Sequence, residues 1–308
     1  MAEGNSPPTK LLVLPGPTAS GKSALALELA RRLGGEILSV DSMQVYRGMN
    51  VGTAKPTDAE RRQVVHHGID LCPPTDDFTV ARFVSHAQEV IADAGRRSVW
   101  LVAAGGTPLY FKALFEGLFE GPAQDPALRE RLTAQGGEAL HRRLSDVDPA
   151  AAARLHANDL KRLVRALEVY ELTGKPISAH QQEWGGAPRY AAQWFGLAWE
   201  REQLNRRINA RCRQMIEAGW VQEVRGLLAA YGELGRSAQQ AAGYAALARH
   251  VKGQLPLDDA VEQTKIDTRQ LARRQIKWFR RFGQVTWLPG DAAVTDNADR
   301  IMQAVQAG

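Results

Sequence analysis

Two hydrophobic periods alternate along this chain, and the places where one gives way to the other divide it into parts. Leu11-Leu12-Val13-Leu14 is a short unbroken apolar run, the pattern of a strand buried on both faces, and Ala24-Leu25-Ala26-Leu27-Glu28-Leu29-Ala30 behind it has helical composition. Glu36-Ile37-Leu38-Ser39-Val40 reads as a second strand, Phe78 to Arg96 as an amphipathic helix, and Val99-Trp100-Leu101-Val102-Ala103 as a further buried strand. This alternation predicts an α/β fold with a parallel sheet.

Beyond Gly121 the texture turns helical. Asp125-Pro126 opens one helix, with proline at its first position, and two more runs lie around Gly137 to Leu144 and Pro149 to Leu155. A longer helix follows, capped by Asn158 or Asp159 and stopped by Gly174 and Pro176, with Leu160, Leu163, Val164 and Leu167 as its buried stripe. Gln182 to Ala192 is glycine-rich and loop-like, after which Gln193 to Trp199 returns as a strand. The expected organisation is a core from 1–122, an all-helical insertion over 123–192, and the rest of the core over 193–308 with basic C-terminal helices.

Composition narrows the class. A chain of 308 residues with 44 % hydrophobic side chains can build sizeable cores. Cys72 and Cys212 are its only cysteines, so neither a disulfide framework nor a cysteine zinc site is indicated, and a reducing cytoplasm fits. Met1 to Lys10 is polar and reads as a frayed tail without the apolar centre of a secretory signal, and no apolar run is long enough to span a membrane. His66-His67 invites a metal reading, but no further ligand stands at the right spacing, so a structural or surface role is preferred.

The candidate chemistry starts where the first strand ends. Gly16-Pro17-Thr18-Ala19-Ser20-Gly21-Lys22-Ser23 matches G-x-x-x-x-G-K-[ST] between a strand and a helix, a phosphate-binding loop. Its backbone N–H groups and helix N-terminus suit oxyanions, Lys22 reaches an outer phosphate, and the Ser23 hydroxyl can ligate Mg²⁺. The expected core is a parallel sheet flanked by helices, P-loop NTPase-like in its first strand, loop and helix. Asp41, just past the second strand, suits a turn cap as well as a catalytic carboxylate facing the crevice. The third strand runs into Gly105-Gly106-Thr107 rather than a magnesium-binding aspartate, which suits positioning a leaving group better than activating water.

Charge points to a polyanionic partner. Lys and Arg number 39 against 34 Asp and Glu, a net charge of +5. Arg206, Arg207, Arg211 and Arg213 share one predicted helix. On another, Thr268 to Phe282, Arg269, Arg273, Lys277 and Arg280 form a cationic stripe beside an apolar stripe of Leu271, Trp278 and Phe282. No acidic residue interrupts it, so an RNA backbone is the preferred partner over a merely solvated face.

Taken together, Gly16 to Ser23, Asp41-Ser42-Met43-Gln44-Val45-Tyr46, Gly52-Thr53-Ala54-Lys55-Pro56, His66-His67, Gly105-Gly106-Thr107, Arg162 to Lys175 and Arg269 to Arg281 resemble the bacterial tRNA dimethylallyltransferases. The resemblance runs from about Lys10 to Phe282. It implies transfer of a dimethylallyl group from dimethylallyl diphosphate to N6 of the adenine 3′-adjacent to the anticodon, in tRNAs reading codons that start with U. It also implies Mg²⁺ and a helical insertion that grips the anticodon stem-loop. On this reading the loop 16–23 holds the diphosphate, Arg211 adds positive charge, Thr107 hydrogen-bonds near the bridging oxygen, and Asp41 takes the N6 proton. Gln44 reads adenine by a two-point hydrogen bond beside Ser42 and Met43. The RNA is gripped by Arg129, Lys161, Arg162, Leu163, Val164 and Arg165, and by Gly243, Tyr244, Arg273, Arg274, Gln275, Lys277, Trp278 and Arg280. A monomer is expected. Where the family usually has a basic residue after Gly-Tyr, this chain has Ala245. The rival readings are a P-loop kinase of nucleotides or small metabolites, which leaves the cationic helix unexplained, and a non-catalytic RNA-binding protein.

Overall fold

The computed structural model describes residues 10–117, 121–181 and 188–307. The expected tail, Lys10 apart, and residues 182–187 of the expected loop lie outside the described residues. The chain divides into two compact units, one formed by Met1–Leu114 with Tyr190–Gly308 and one by Phe115–Arg189. The excursion was expected over 123–192; its ends are instead tied by Arg189 N donating to Phe115 O at 2.9 Å.

The first unit is built on six strands: β1 (Leu11–Pro15), β2 (Glu36–Ser39), β3 (His66–His67), β4 (Leu101–Gly105), β5 (Gln193–Ala198) and β6 (Thr286–Pro289). They form one parallel sheet in the order β3-β2-β4-β1-β5-β6. β1 and β4 are central, which is why their sequences are nearly all apolar. Pro15 pairs with Gly105 in register, and Gly16 N donates to Gly105 O at 3.2 Å, so the loops after β1 and β4 leave the sheet side by side. A Cβ at Gly105 would lie 2.0 Å from Val40 O, a clash only glycine avoids.

Side-chain alternation sorts the two faces. Leu12, Leu14, Val102 and Phe195 pack with Leu25 and Leu29 of the helix Lys22–Leu33 and with Ala298 and Ile301 of the helix Val294–Ala307. Trp194, next to Phe195, joins an aromatic cluster with Phe111 and Phe282, and Phe279 is 6.0 Å from Phe111. Edge strands β3 and β6 were not expected: two residues carry no readable period, and β6 is largely exposed. β4 starts two residues later than expected, because Val99 N still donates to Ala94 O in the turn that closes helix Val80–Arg96.

Helices Arg201–Glu217, Trp220–Tyr231, Tyr244–Val251 and Leu257–Phe279 also belong to this unit. Trp220, Val224, Tyr244 and Leu247 enclose Val45, Tyr46 and Met49 of the chain after β2. In the helix Leu257–Phe279 the buried positions are Ala260, Thr264, Ala272, Gln275 and Phe279; of the expected apolar stripe, Phe282 is buried just past the helix, whereas Leu271 and Trp278 are half-buried. Those two residues line a pocket instead.

The second unit is helical among its described residues: Pro126–Ala134, Gly137–Val147, Pro149–Ala152, Leu160–Thr173 and Ile177–Gln181. Asp125, Asp148 and Asp159 each cap a helix by accepting from a backbone N–H. Leu128, Leu132, Leu140, Leu144, Leu163 and Leu167 form its core.

Candidate active site

The loop after β1 and the Gly105-Gly106-Thr107 turn after β4 form one wall of a cavity of about 410 Å³. Asp41 to Gln44 after β2, Arg211 and Met215 from helix Arg201–Glu217, and Leu271, Arg274, Gln275 and Trp278 from helix Leu257–Phe279 close the rest. The ligand crevice thus opens at the carboxyl ends of parallel strands.

Gly21 has φ +95° and turns the chain into the helix Lys22–Leu33, leaving the first-turn N–H groups without acceptors in the helix. The Lys22 ammonium donates to Pro17 O at 3.1 Å. The side chain opens onto the cavity, yet its charge sits deep in the fold, and desolvation pushes its pKa down to about 8 against the opposing attraction of Asp41. Burial likewise lowers the Arg211 pKa, with Cys212 and Asp41 opposing it. Two desolvated cations and one carboxylate therefore face one another in this cavity.

Asp41 caps the turn expected of it and lines the cavity. Its Oδ1 accepts from Met43 N at 2.8 Å and Gln44 N at 3.4 Å, an Asx turn that fixes the carboxylate at the crevice. Oδ2 makes no hydrogen bond among the described residues. Thr107 Oγ1 accepts from Ser42 N at 3.0 Å and donates to Ser42 Oγ at 3.2 Å, joining the β4 turn to the β2 turn.

Several expected RNA-contacting residues are committed elsewhere. Gln44 Oε1 accepts from Ser39 Oγ, and Gln44 Nε2 donates to Thr53 O and Ala54 O, so its amide holds the Gly52 to Pro56 loop rather than lying free to read a base. Gln275 is buried; its Oε1 accepts from Thr18 N at 2.9 Å and its Nε2 donates to Gly106 O at 2.6 Å, bridging the loops after β1 and β4. Tyr244 is buried, with its hydroxyl on Glu223 Oε1, and Gly243, at φ +89°, lies so close to Trp220 that a Cβ would come within 2.4 Å of its ring. Leu163 and Val164 belong to the core of the second unit. There Arg129 and Arg165 both pair with the buried carboxylate of Glu168. Arg162 pairs with Asp159, and Lys161 is exposed.

Arg273, Arg274, Lys277 and Arg280 are exposed, and none makes an ion pair among the described residues; Arg269, by contrast, bonds Asn209 Oδ1 and reaches Glu262. His67 pairs with Glu36 at 2.8 Å, consistent with a structural role, and no group of three or more His, Cys, Asp or Glu side chains among the described residues could hold a metal.

Sequence reasoning missed Glu223. Its carboxylate accepts from the N–H groups of Asn50, Val51 and Gly52, at 2.7, 2.6 and 3.1 Å, and from the Tyr244 hydroxyl. Lys55 is buried beneath the same loop on Asp70, Asn50 Oδ1 and Tyr46 O. The Gly-Thr-Ala-Lys-Pro run signalled that loop; nothing local to Glu223 did.

The family model described as IPP transferase matches residues 44–282, and the one described as isopentenyl transferase matches residues 9–67. The chain is 50% identical over 285 residues to a tRNA dimethylallyltransferase of Geobacter metallireducens, covering 91% of this chain and 92% of that one. It is 47% identical over 283 residues to one of Symbiobacterium thermophilum, covering 90% and 88%. The crystal structure of a Bacillus halodurans tRNA isopentenylpyrophosphate transferase superposes with a TM-score of 0.72 at 36% identity, over 97% of each chain. That of a eukaryotic dimethylallyltransferase acting on tRNA gives 0.80 at 27% identity, over 91% of this chain and 74% of that one. This chain belongs to the IPP transferase family, that of the tRNA dimethylallyltransferases.

Proposed function

We propose that this chain transfers a dimethylallyl group from dimethylallyl diphosphate to N6 of the adenine 3′-adjacent to the anticodon in tRNAs reading codons that start with U. The observation that carries the reading is the cavity itself. Lys22, the loop 16–23 and Arg211 stand for an anion, Ile208, Met215, Leu271 and Trp278 supply apolar wall for a five-carbon chain, and Asp41 lies among them. Its named relatives act on tRNA.

In this mechanism the first-turn N–H groups, Lys22 and Arg211 neutralise the diphosphate as its bond to the allylic carbon breaks. Thr107, held by Ser42 N, turns its hydroxyl proton from Ser42 Oγ toward the bridging oxygen. Asp41 accepts the N6 proton as the carbon–nitrogen bond forms. Mg²⁺ fits here as a companion of the diphosphate: Ser23 lines the cavity and supplies a hard oxygen, and such an ion takes most of its ligands from phosphate and water. When bound it would neutralise diphosphate charge. The cationic face of Arg273, Arg274, Lys277 and Arg280 serves the RNA backbone. A monomeric, cytoplasmic enzyme accords with this reading, and no helix among the described residues is long and apolar enough to cross a membrane.

The test is nucleoside mass spectrometry of an anticodon stem-loop bearing that adenine, after incubation with the protein, Mg²⁺ and dimethylallyl diphosphate. N6-(dimethylallyl)adenosine is expected. Its absence, with phosphate transfer from ATP to a small acceptor, would establish the kinase reading instead.

A further inference from the structure

Across a trans peptide the carbonyl of one residue and the N–H of the next point in opposite directions. A loop that aims N–H groups inward at an anion therefore turns carbonyls outward, and whatever fixes those carbonyls fixes the cradle. In this chain two of them are held from behind. Arg207 Nε donates to Ala19 O, and Trp199 Nε1 donates to Ser20 O, each at 2.9 Å. The two side chains are stacked on one another, with the guanidinium carbon 4.4 Å from the indole centroid. Both lie outside the lining of the central cavity and border a separate recess of about 140 Å³ with Ser20, Gly21 and Asn297.

The backbone between these anchors is unusual. Ala19 has φ +62°, a left-handed conformation that a residue with a Cβ rarely adopts and that persists where its surroundings over-determine it. Gly21, two residues on, has φ +95°. The pinned carbonyls flank this turn and set the direction of the Gly21 N–H and of the Ser20 N–H, which donates to Pro17 O at 3.4 Å.

We propose that Trp199 and Arg207 form a stacked brace that holds the phosphate loop in its anion-binding form, acting as positioning residues for the donor diphosphate without touching it. The identity of the diphosphate rests on the function proposed above; the brace itself does not. Arg207, which sequence reading placed among the basic residues, thus serves the donor site rather than the RNA.

The full-length protein is titrated calorimetrically with inorganic pyrophosphate and Mg²⁺, as wild type, Trp199→Phe, Arg207→Met and the double variant. Trp199→Phe keeps an aromatic ring and the net charge while removing one N–H, so it separates bracing from long-range charge. Each single variant is expected to weaken pyrophosphate binding by about tenfold. The double variant is expected to be little worse than either, because the pair acts as a unit. In steady-state kinetics the donor KM should rise by the same factor, while kcat at saturating donor and the affinity for the stem-loop stay within about threefold. Pyrophosphate affinity unchanged in Trp199→Phe would overturn the proposal, as would losses that multiply in the double variant. Should Arg207→Met fail to fold, judged by its thermal transition, Trp199→Phe decides alone. A wild-type protein that binds pyrophosphate but does not prenylate RNA would refute the proposed function and leave the brace to stand or fall on the titrations.

Discussion

Lys22 and Asp41 show how one side chain's environment sets its chemistry. Asp41→Asn retains the oxygen that accepts from Met43 N and Gln44 N, so the turn survives while the basic carboxylate is lost. Turnover should fall by about 10²–10⁴-fold with stem-loop affinity unchanged; an unaltered single-turnover rate would remove Asp41 as the base. Lys22 makes a prediction in pH. With its pKa near 8, the free enzyme loses this charge as pH rises through 8, so pyrophosphate affinity should decline between pH 7 and 9. Binding the anion favours the ammonium and raises its pKa, so near pH 8 complex formation takes up a proton. Calorimetry in buffers of different ionisation enthalpy reads that uptake, and Lys22→Met should abolish it. The stability linkage has the matching sign: between 8 and the ordinary lysine value of 10.5 the unfolded chain binds more protons, so Lys22 makes folding more favourable as pH rises through that window.

Helix Leu257–Phe279 carries different chemistry on each of its faces, and only part of it is legible in sequence. The cationic stripe was readable because arginine and lysine at helical spacing with no intervening acid is a local pattern. Gln275 was not: its neighbours in sequence suggest an RNA contact, while its partners are Thr18 N and Gly106 O, far away along the chain. Gln44 and Tyr244 misled in the same way, since an amide or a phenol has the same formula whether it faces a base or a backbone loop. The phosphate loop, Asp41 and the central strands were legible because each is specified within a few residues, whereas β3, β6 and Glu223 exist through pairings with distant segments. The helix's buried face has its own test. Gln275→Leu leaves Thr18 N and Gly106 O without partners, costing about 1–3 kcal/mol of stability, and lets the loops after β1 and β4 part. Thermal unfolding should record the first effect and a raised donor KM the second; a destabilised variant with unchanged donor KM would reduce Gln275 to a packing residue.

Over the whole molecule, the net charge of +5 matters less than where charge is left uncompensated. Some cations elsewhere are tied: Arg97 to Glu36 and Asp93, Arg32 to Glu28 and Asp299, and in the second unit Arg129 and Arg165 to Glu168. Lys277 and Arg280 are exposed with no ion pair among the described residues. A cation already paired in the free protein gains little from a phosphate, because a carboxylate must be given up in exchange; an unpaired one releases a counterion from the RNA at full effect. Stem-loop affinity should therefore fall linearly with the logarithm of salt concentration, and Lys277→Ala and Arg280→Ala should each lower the slope by about 0.7–1. Arg97→Ala removes the same formal charge from a paired site and should leave the slope as it is. Pyrophosphate binding should be indifferent to all three, since none lines the cavity. If Arg97→Ala flattened the slope as much as Lys277→Ala, the RNA would be responding to net charge rather than to this face, and the assignment of helix Leu257–Phe279 to the RNA backbone would fail.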